Sequence, residues 1–280
     1  MIPTNPITEE WVSAFVKRPS ASALIDAPQD VRAAKEIAEF IASKLVSKPG
    51  QLTYLNAEDK NTIGVERIRS LKRDLSLRAD LTERLVSRIL IIEEADKLTI
   101  EAQNALLKLI EELPNQTVIV LFTAEIAKLL PTVVSRCFRL PVLPVTLETV
   151  TDYTVSEGYD EAAIKRAHAL TDGKVGLLLD ILESGDNGSF NKQVSVAKEY
   201  MSESIFNRQL MNKNILKSSQ DVEQFLQACV VVSRTGMRLA NRILDKNRWK
   251  HVLLNSLEAQ KHMSQNVSTK LVLLNLSVTI

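Results

Sequence analysis

The chain has 280 residues, 45% hydrophobic and 25% charged, with a formal net charge of +1. This is ordinary soluble globular composition, and the length suggests roughly two domains with room for a sizeable core. The near-neutral balance excludes a global field for nucleic acid or an anionic membrane, so any contact with DNA must come from a local patch or a partner. The two cysteines, Cys137 and Cys229, lie far apart and form no CxxC pair. They support neither a structural zinc site nor a disulfide scaffold, and they fit a reducing compartment. The opening MIPTNPITEEWV lacks a basic start followed by an apolar run, so no signal peptide is expected. No apolar stretch approaches the roughly 18 residues of a membrane span.

The first half alternates short apolar runs with helical patterns. ALIDA at 23–27 is followed over 31–46 by Ala33, Ala34, Ile37, Ala38, Ile41 and Leu45 on one helical face. Lys48-Pro49-Gly50 breaks that pattern, and QLTYLN at 51–56 alternates like a strand. Val65, Ile68, Leu71 and Leu75 recur at helical spacing. ILII at 89–92 and TVIVLFT at 117–123 are continuous apolar runs that suit strands buried on both faces of a parallel sheet. Between them Thr99 is a good N-cap for a helix that turns Ala105, Leu106, Leu109, Ile110 and Leu113 inward and ends before Pro114. A short helix near 125–130 is expected to be cut by Pro131, with CFRLPV at 137–142 as the fifth strand. This alternation predicts an α/β fold, a doubly wound parallel five-stranded sheet with helices on both faces. After Pro144 the pattern is helical. Three short helices over 146–184 are split at Glu157-Gly158 and Asp172-Gly173, SGDNGS at 184–189 is a linker, and helices follow to the end. The last ten residues, LVLLNLSVTI, read as a buried helix end.

In open α/β sheets ligands bind at the carboxyl ends of the strands, and the first strand–helix turn is the place for phosphate. Here that turn reads Ala27-Pro28-Gln29-Asp30-Val31-Arg32-Ala33-Ala34. A working phosphate loop needs glycines to bring backbone N–H groups to phosphate, a lysine for the β/γ oxygens and a hydroxyl for magnesium. Ala27, Asp30 and Arg32 stand in the glycine positions, Ala33 in the lysine position and Ala34 in the hydroxyl position. By itself the turn is better explained as an ordinary connection. ILII then delivers Glu93 and Glu94 to its carboxyl end, the arrangement that holds magnesium in phosphate-loop ATPases; alternatively these are loop carboxylates, with Asp96 opening a helix. Without the lysine and hydroxyl they are assigned no metal. Ser135-Arg136-Cys137 places an arginine before the fifth strand, either a surface ion-pair residue or a group that acts on a neighbour's phosphate.

These features occur in order, within text that resembles a known family. ILIIEEADKLTIEAQNALLKLIEELPNQTVIVLFTAE, LLPTVVSRCFRLPVLP and the upstream IGVERIRSLKRDLSLR are similar to the bacterial clamp-loader branch of the AAA+ ATPases, and most of all to its DNA polymerase III delta-prime subunits. The resemblance is carried mainly by residues 50–142, and over 185–280 it rests on helicity and on NVSTKLVLLNL. It implies that Ser135, Arg136 and Cys137 are the family's SRC motif, with Arg136 the finger that acts in trans. Glu93 and Glu94 match the Walker B pair, Thr123 falls near sensor 1, and Leu177 stands where the sensor 2 arginine would be. The four-cysteine zinc module common in bacterial relatives is missing between residues 46 and 51, and the chain is shorter than most full-length members. The implied layout is an AAA+ core over 1–143, a helical lid over 144–184 and a helical collar over 185–280. The implied role is a cytoplasmic, non-catalytic stator without a cofactor or metal of its own. It would assemble with motor and delta-type subunits to load the sliding clamp on primer–template DNA. A motor-type ATPase subunit and a degenerate AAA+ adaptor outside replication are the alternatives. Arg67, Arg69, Lys72 and Arg73 in the IRSLKRD helix form either a phosphate-facing patch or a solvated face.

Overall fold

The apolar runs of the first half assemble into one parallel sheet. The computed structural model describes residues 2–46, 51–57, 62–77, 86–185, 189–216, 218–265 and 267–280. The break at Lys48-Pro49-Gly50, the stretch where a zinc module would be inserted, Arg78 at the end of the segment IGVERIRSLKRDLSLR and the centre of the 184–189 linker lie outside them. Strands β1 (Ser22–Asp26), β2 (Leu52–Leu55), β3 (Arg88–Ile92), β4 (Thr117–Thr123) and β5 (Phe138–Pro141) take the order β2-β3-β4-β1-β5. All pairings are parallel, so every carboxyl end points the same way. β1, β4 and most of β3 are buried along their length, as their continuous apolar sequence requires.

Helices α1 (Pro6–Lys17) and α2 (Val31–Leu45) cover one face of the sheet, and α3 (Val65–Leu77) and α4 (Ile100–Glu111) the other. Strand residues alternate between the two layers. Leu24, Leu90, Ile119 and Leu121 meet α3 and α4, while Ala23, Ile25, Ile89, Ile91, Val120 and Phe122 meet α1 and α2. Thr99 caps α4 by accepting the Ala102 N–H, as its sequence position predicts. α1 is not among the predicted elements. It starts at an Asn5 cap with Pro6 in the first position, and buries Val12 and Phe15. Pro131 also acts differently from expectation. Residues 126–128 form one 3-10 turn, and Pro131 opens a new short helix, α5 (Pro131–Val134), because proline lacks only a donor that a first turn does not use. In the basic helix α3, Arg69 pairs with Glu66 and Lys72 with Glu112.

By its contacts the chain divides into two units, Met1–Gly158 with Gly173–Leu177, and Tyr159–Asp172 with Leu178–Ile280. The expected 144–184 segment is thus shared between them. Its helices are α6 (Leu147–Ser156), α7 (Glu161–Thr171) and α8 (Val175–Ser184). The second unit adds α9 (Ser189–Ser202), α10 (Ile205–Ile215), α11 (Ser219–Leu239), α12 (Ile243–Ser264) and α13 (Thr269–Thr279) around a core of Tyr200, Phe225, Leu226, Cys229, Val252, Leu273 and Leu276. The C-terminal LVLLNLSVTI is not wholly buried. Val272, Leu273 and Leu276 face the core, and Leu271, Leu274 and Val278 are exposed. Among the described residues no helix is long and apolar enough to cross a membrane.

Candidate nucleotide site and arginine loop

The turn between β1 and α2 is closed by its own side chain. Asp30 is 4% exposed and caps α2, its Oδ1 accepting the Ala33 N–H at 3.2 Å. Its Oδ2 accepts the Gly176 N–H at 3.0 Å, in the first turn of α8. One carboxylate therefore lies at two helix N-termini, each of which carries partial positive charge. The N–H of Ala34 bonds the Asp30 carbonyl, and the N–H of Ala27 bonds Thr123. Backbone donors that a phosphate loop turns toward its ligand are committed within the chain. Ala33 and Ala34 are fully buried against the sheet. The turn has one left-handed residue, Gln29 at φ 58°, and no glycine.

The acidic strand end is equally engaged. Glu93 pairs with Lys35 at 3.2 Å, and this hydrogen bond lifts the Lys35 ammonium above its ordinary range against the opposing effect of burial. Glu94 is left-handed at φ 49° and pairs with Lys97 at 2.7 Å. Thr123, fully buried at the end of β4, donates its hydroxyl to Asp96 at 2.7 Å and accepts the Glu125 N–H at 3.1 Å. Asp96 thus lies within a 3-10 turn, Ala95–Lys97, and serves Thr123 rather than capping a helix. Asp26 ends β1 beside Thr123 in register, and its Oδ2 pairs with Arg139 at 2.5 Å. Among the described residues no group of three or more His, Cys, Asp or Glu side chains is placed to hold a metal ion. The pairings of Glu93 with Lys35 and of Asp30 with Gly176 carried no sequence signal, because each joins segments that only the topology brings together.

The arginine loop lies at the other end of the sheet. Ser135, Arg136 and Cys137 form the turn between α5 and β5, and the strand begins one residue later than expected, at Phe138. Phe138 pairs with Ala23 near the start of β1, whereas the Ala27 turn leaves its end. At ~3.3 Å per residue, the five-residue strand sets the two loops roughly 15 Å apart. The loop is well anchored. The Ser22 hydroxyl donates to the Arg136 carbonyl at 2.8 Å, and the Ser135 hydroxyl donates to Thr132 at 3.1 Å. Cys137 packs against the core, and burial pushes its thiol up. The Arg136 side chain is 42% exposed, with Nε 2.8 Å from Glu111 and Nη1 donating to the Thr132 carbonyl at 3.3 Å. An exposed pair of this kind is worth about 0–1 kcal/mol, so a phosphate can displace Glu111 cheaply. Leu177, where the resemblance leads one to expect a sensor 2 arginine, is half-buried and carries no charge.

Comparisons with known proteins agree with this geometry. Residues 15–146 match the family described as DNA polymerase III, delta subunit, a span that contains the Ala27 turn, the acidic strand end and the arginine loop. DNA polymerase III subunit delta' of Escherichia coli is 32% identical over 154 residues, 54% of this chain and 45% of that protein. Replication factor C subunit 4 of Caenorhabditis elegans is 30% identical over 156 residues, 49% of this chain and 46% of that protein. The chain therefore spans less than half the length of these relatives. A DNA polymerase III gamma subunit-related protein from Thermotoga maritima superposes with TM-score 0.54 over 97% of both chains at 18% identity, a likeness of fold. With its five-stranded parallel AAA+-like sheet and a family match that spans both loops, the first half of this chain is similar to the DNA polymerase III clamp-loader subunits of the delta-prime type.

Proposed function

We propose that the chain is the non-catalytic stator of a replication clamp loader, a subunit that hydrolyses no ATP itself and lends Arg136 to the ATP site of an adjacent motor subunit. The placement of Arg136 carries this reading. It is exposed and firmly anchored at the amino end of the sheet, away from its own phosphate turn and free to serve only another chain. The closed turn at Ala27–Ala34 supports the silent half of the proposal, since Ala33 and Ala34 offer neither a cation nor a metal ligand. In this role the chain joins motor and delta-type subunits, and the assembly acts on the sliding clamp and primer–template DNA in the cytoplasm. Residues 144–184 act as lid and 185–280 as collar. The exposed Leu271, Leu274 and Val278 of α13, with Leu254 of α12, offer the collar an apolar face.

The test is a complex reconstituted with Arg136→Ala. Assembly is expected to be intact, with DNA-stimulated ATP turnover and clamp loading reduced at least tenfold, given that such fingers are worth about 10³–10⁵ in rate. Wild-type rates would overturn the finger. Magnesium-dependent ATP hydrolysis by the isolated chain would favour a motor-type ATPase instead. Failure to join the motor subunits and clamp would favour an adaptor outside replication.

A further inference from the structure

Asp30 does more than fail to be a glycine. Phosphate binds at helix N-termini because unpaired N–H groups and aligned peptide dipoles converge there. In this chain a carboxylate, itself an oxyanion, sits at that place, with one oxygen on α2 and the other on α8. The neighbourhood is shaped around it. A Cβ on Gly176 would stand 2.1 Å from Asp30 Oδ1, 2.7 Å from the Ala33 nitrogen and 2.9 Å from the Arg32 Cβ. Only glycine allows the α8 backbone to come this close to the carboxylate. The same five-residue stretch is held at two further points. Lys174 donates to the Gln29 side chain at 2.6 Å, and the Gly173 carbonyl accepts the Val145 N–H at 2.8 Å. Gly173 is left-handed at φ 77°, and a Cβ there would meet the Val145 oxygen at 2.5 Å.

We propose that Asp30 is a tethered stand-in for phosphate, which fills the anion seat of the turn and pins the 173–177 strap to α2 without any nucleotide. The proposal rests on the reading of Ala27–Ala34 as a silent phosphate loop. Because the carboxylate is covalently attached, these contacts need no nucleotide to form.

The experiment is hydrogen exchange of the full-length chain, wild type against Asp30→Ala and Asp30→Asn, with and without inorganic phosphate. Exchange of the Gly176 and Ala33 amides is expected to rise roughly 10- to 100-fold in Asp30→Ala, the range provided by a hydrogen bond to a charged group. Asp30→Asn, which keeps one acceptor and loses the charge, should fall between. Amides of β3 and β4 report whether each variant is folded. Phosphate should slow the Gly176 amide in Asp30→Ala and leave the wild type unchanged. Exchange within twofold of wild type in a folded Asp30→Ala chain overturns the pin. Absence of phosphate protection in that variant overturns the stand-in. Tight magnesium-ATP binding by the wild-type chain with Gly176 still protected would overturn the silent-loop reading alone.

Discussion

Replacing Arg208 by methionine tests what holds the second unit together. Arg208 is 7% exposed and, among the described residues, donates to main-chain oxygens: Nε to Tyr200 at 2.9 Å, Nη2 to Met201 at 3.3 Å, and Nη1 to Ser277 at 3.4 Å and to Ile280. These are the closing carbonyls of α9 and α13, groups that a helix leaves without partners and that attract a cation. Hydrogen bonds from a charged donor contribute about 1.5–3 kcal/mol each. Burying the guanidinium opposes them by several kcal/mol. Methionine keeps the length and removes every donor; Met201 keeps Arg248 at 3.3 Å and Tyr200 keeps the Glu203 N–H at 3.4 Å, but all four oxygens lose their charged partner, so the net loss should be about 2–4 kcal/mol. Urea unfolding reports it, followed by Trp249 fluorescence in a Trp11→Phe background so that the signal comes from this unit. A midpoint shift equivalent to less than ~0.5 kcal/mol at unchanged slope would refute the reasoning, because the carbonyls would then be as well served by water.

Gly236 in α11 lies under the Trp249 indole, where an added Cβ would stand 2.4 Å from two ring carbons. Gly236→Ala should gain up to ~1 kcal/mol of helix propensity and lose about 1–3 kcal/mol to overpacking, for a net destabilisation near 1 kcal/mol with a shifted Trp249 emission; higher stability would show that the contact is loose. Burial lifts the Cys229 thiol above its ordinary 9.0, and burial, reinforced by Cys229, lifts the Tyr200 phenol above 10.0. The unfolded chain releases these protons first. Stability is therefore complete below pH 9 and falls as pH rises past 9 and again past 10, by at most about 1.4 kcal/mol per pH unit for each group. Cys229→Ala should unfold more easily below pH 9 but lose the first of these slopes, so that the two curves converge as pH rises, and parallel pH curves for variant and wild type would contradict the assignment. Ala33→Lys restores one phosphate-loop residue without its glycines or hydroxyl, and measured phosphate release should remain at background; appreciable turnover would show that the turn is not silent.

The sheet was legible because its central strands are buried on both sides, and ILII and TVIVLFT need no alternation to be recognised. α1 also has local signals, a capped start at Asn5-Pro6 followed by Glu9, and Ile7, Trp11, Val12 and Phe15 at helical spacing, so it was legible although it is not among the predicted elements. α13 went the other way. The unbroken apolar run Leu271–Leu274, followed by Leu276 and Val278, leaves no clear period to show which face meets the core, so only the packing distinguishes buried Leu273 from exposed Leu274. At the site, the residue types of the turn and of Ser135-Arg136-Cys137 were readable. Their partners were not. Asp30 reaches Gly176 across 146 positions and Thr123 reaches Asp96 across 27, separations set by the order of the strands and by no local pattern.

A parallel sheet has two unequal ends, and here they are treated in opposite ways. The carboxyl end is stopped by Asp30, and the amino end presents Arg136. Under the function proposed above, with ATP sites formed where one subunit's carboxyl end meets the next subunit's arginine loop, such a chain would break the circle. It would act on one neighbour's site and offer none of its own to the other. A ring that included one copy would then have a beginning, a fixed point from which the order of its remaining sites could be defined.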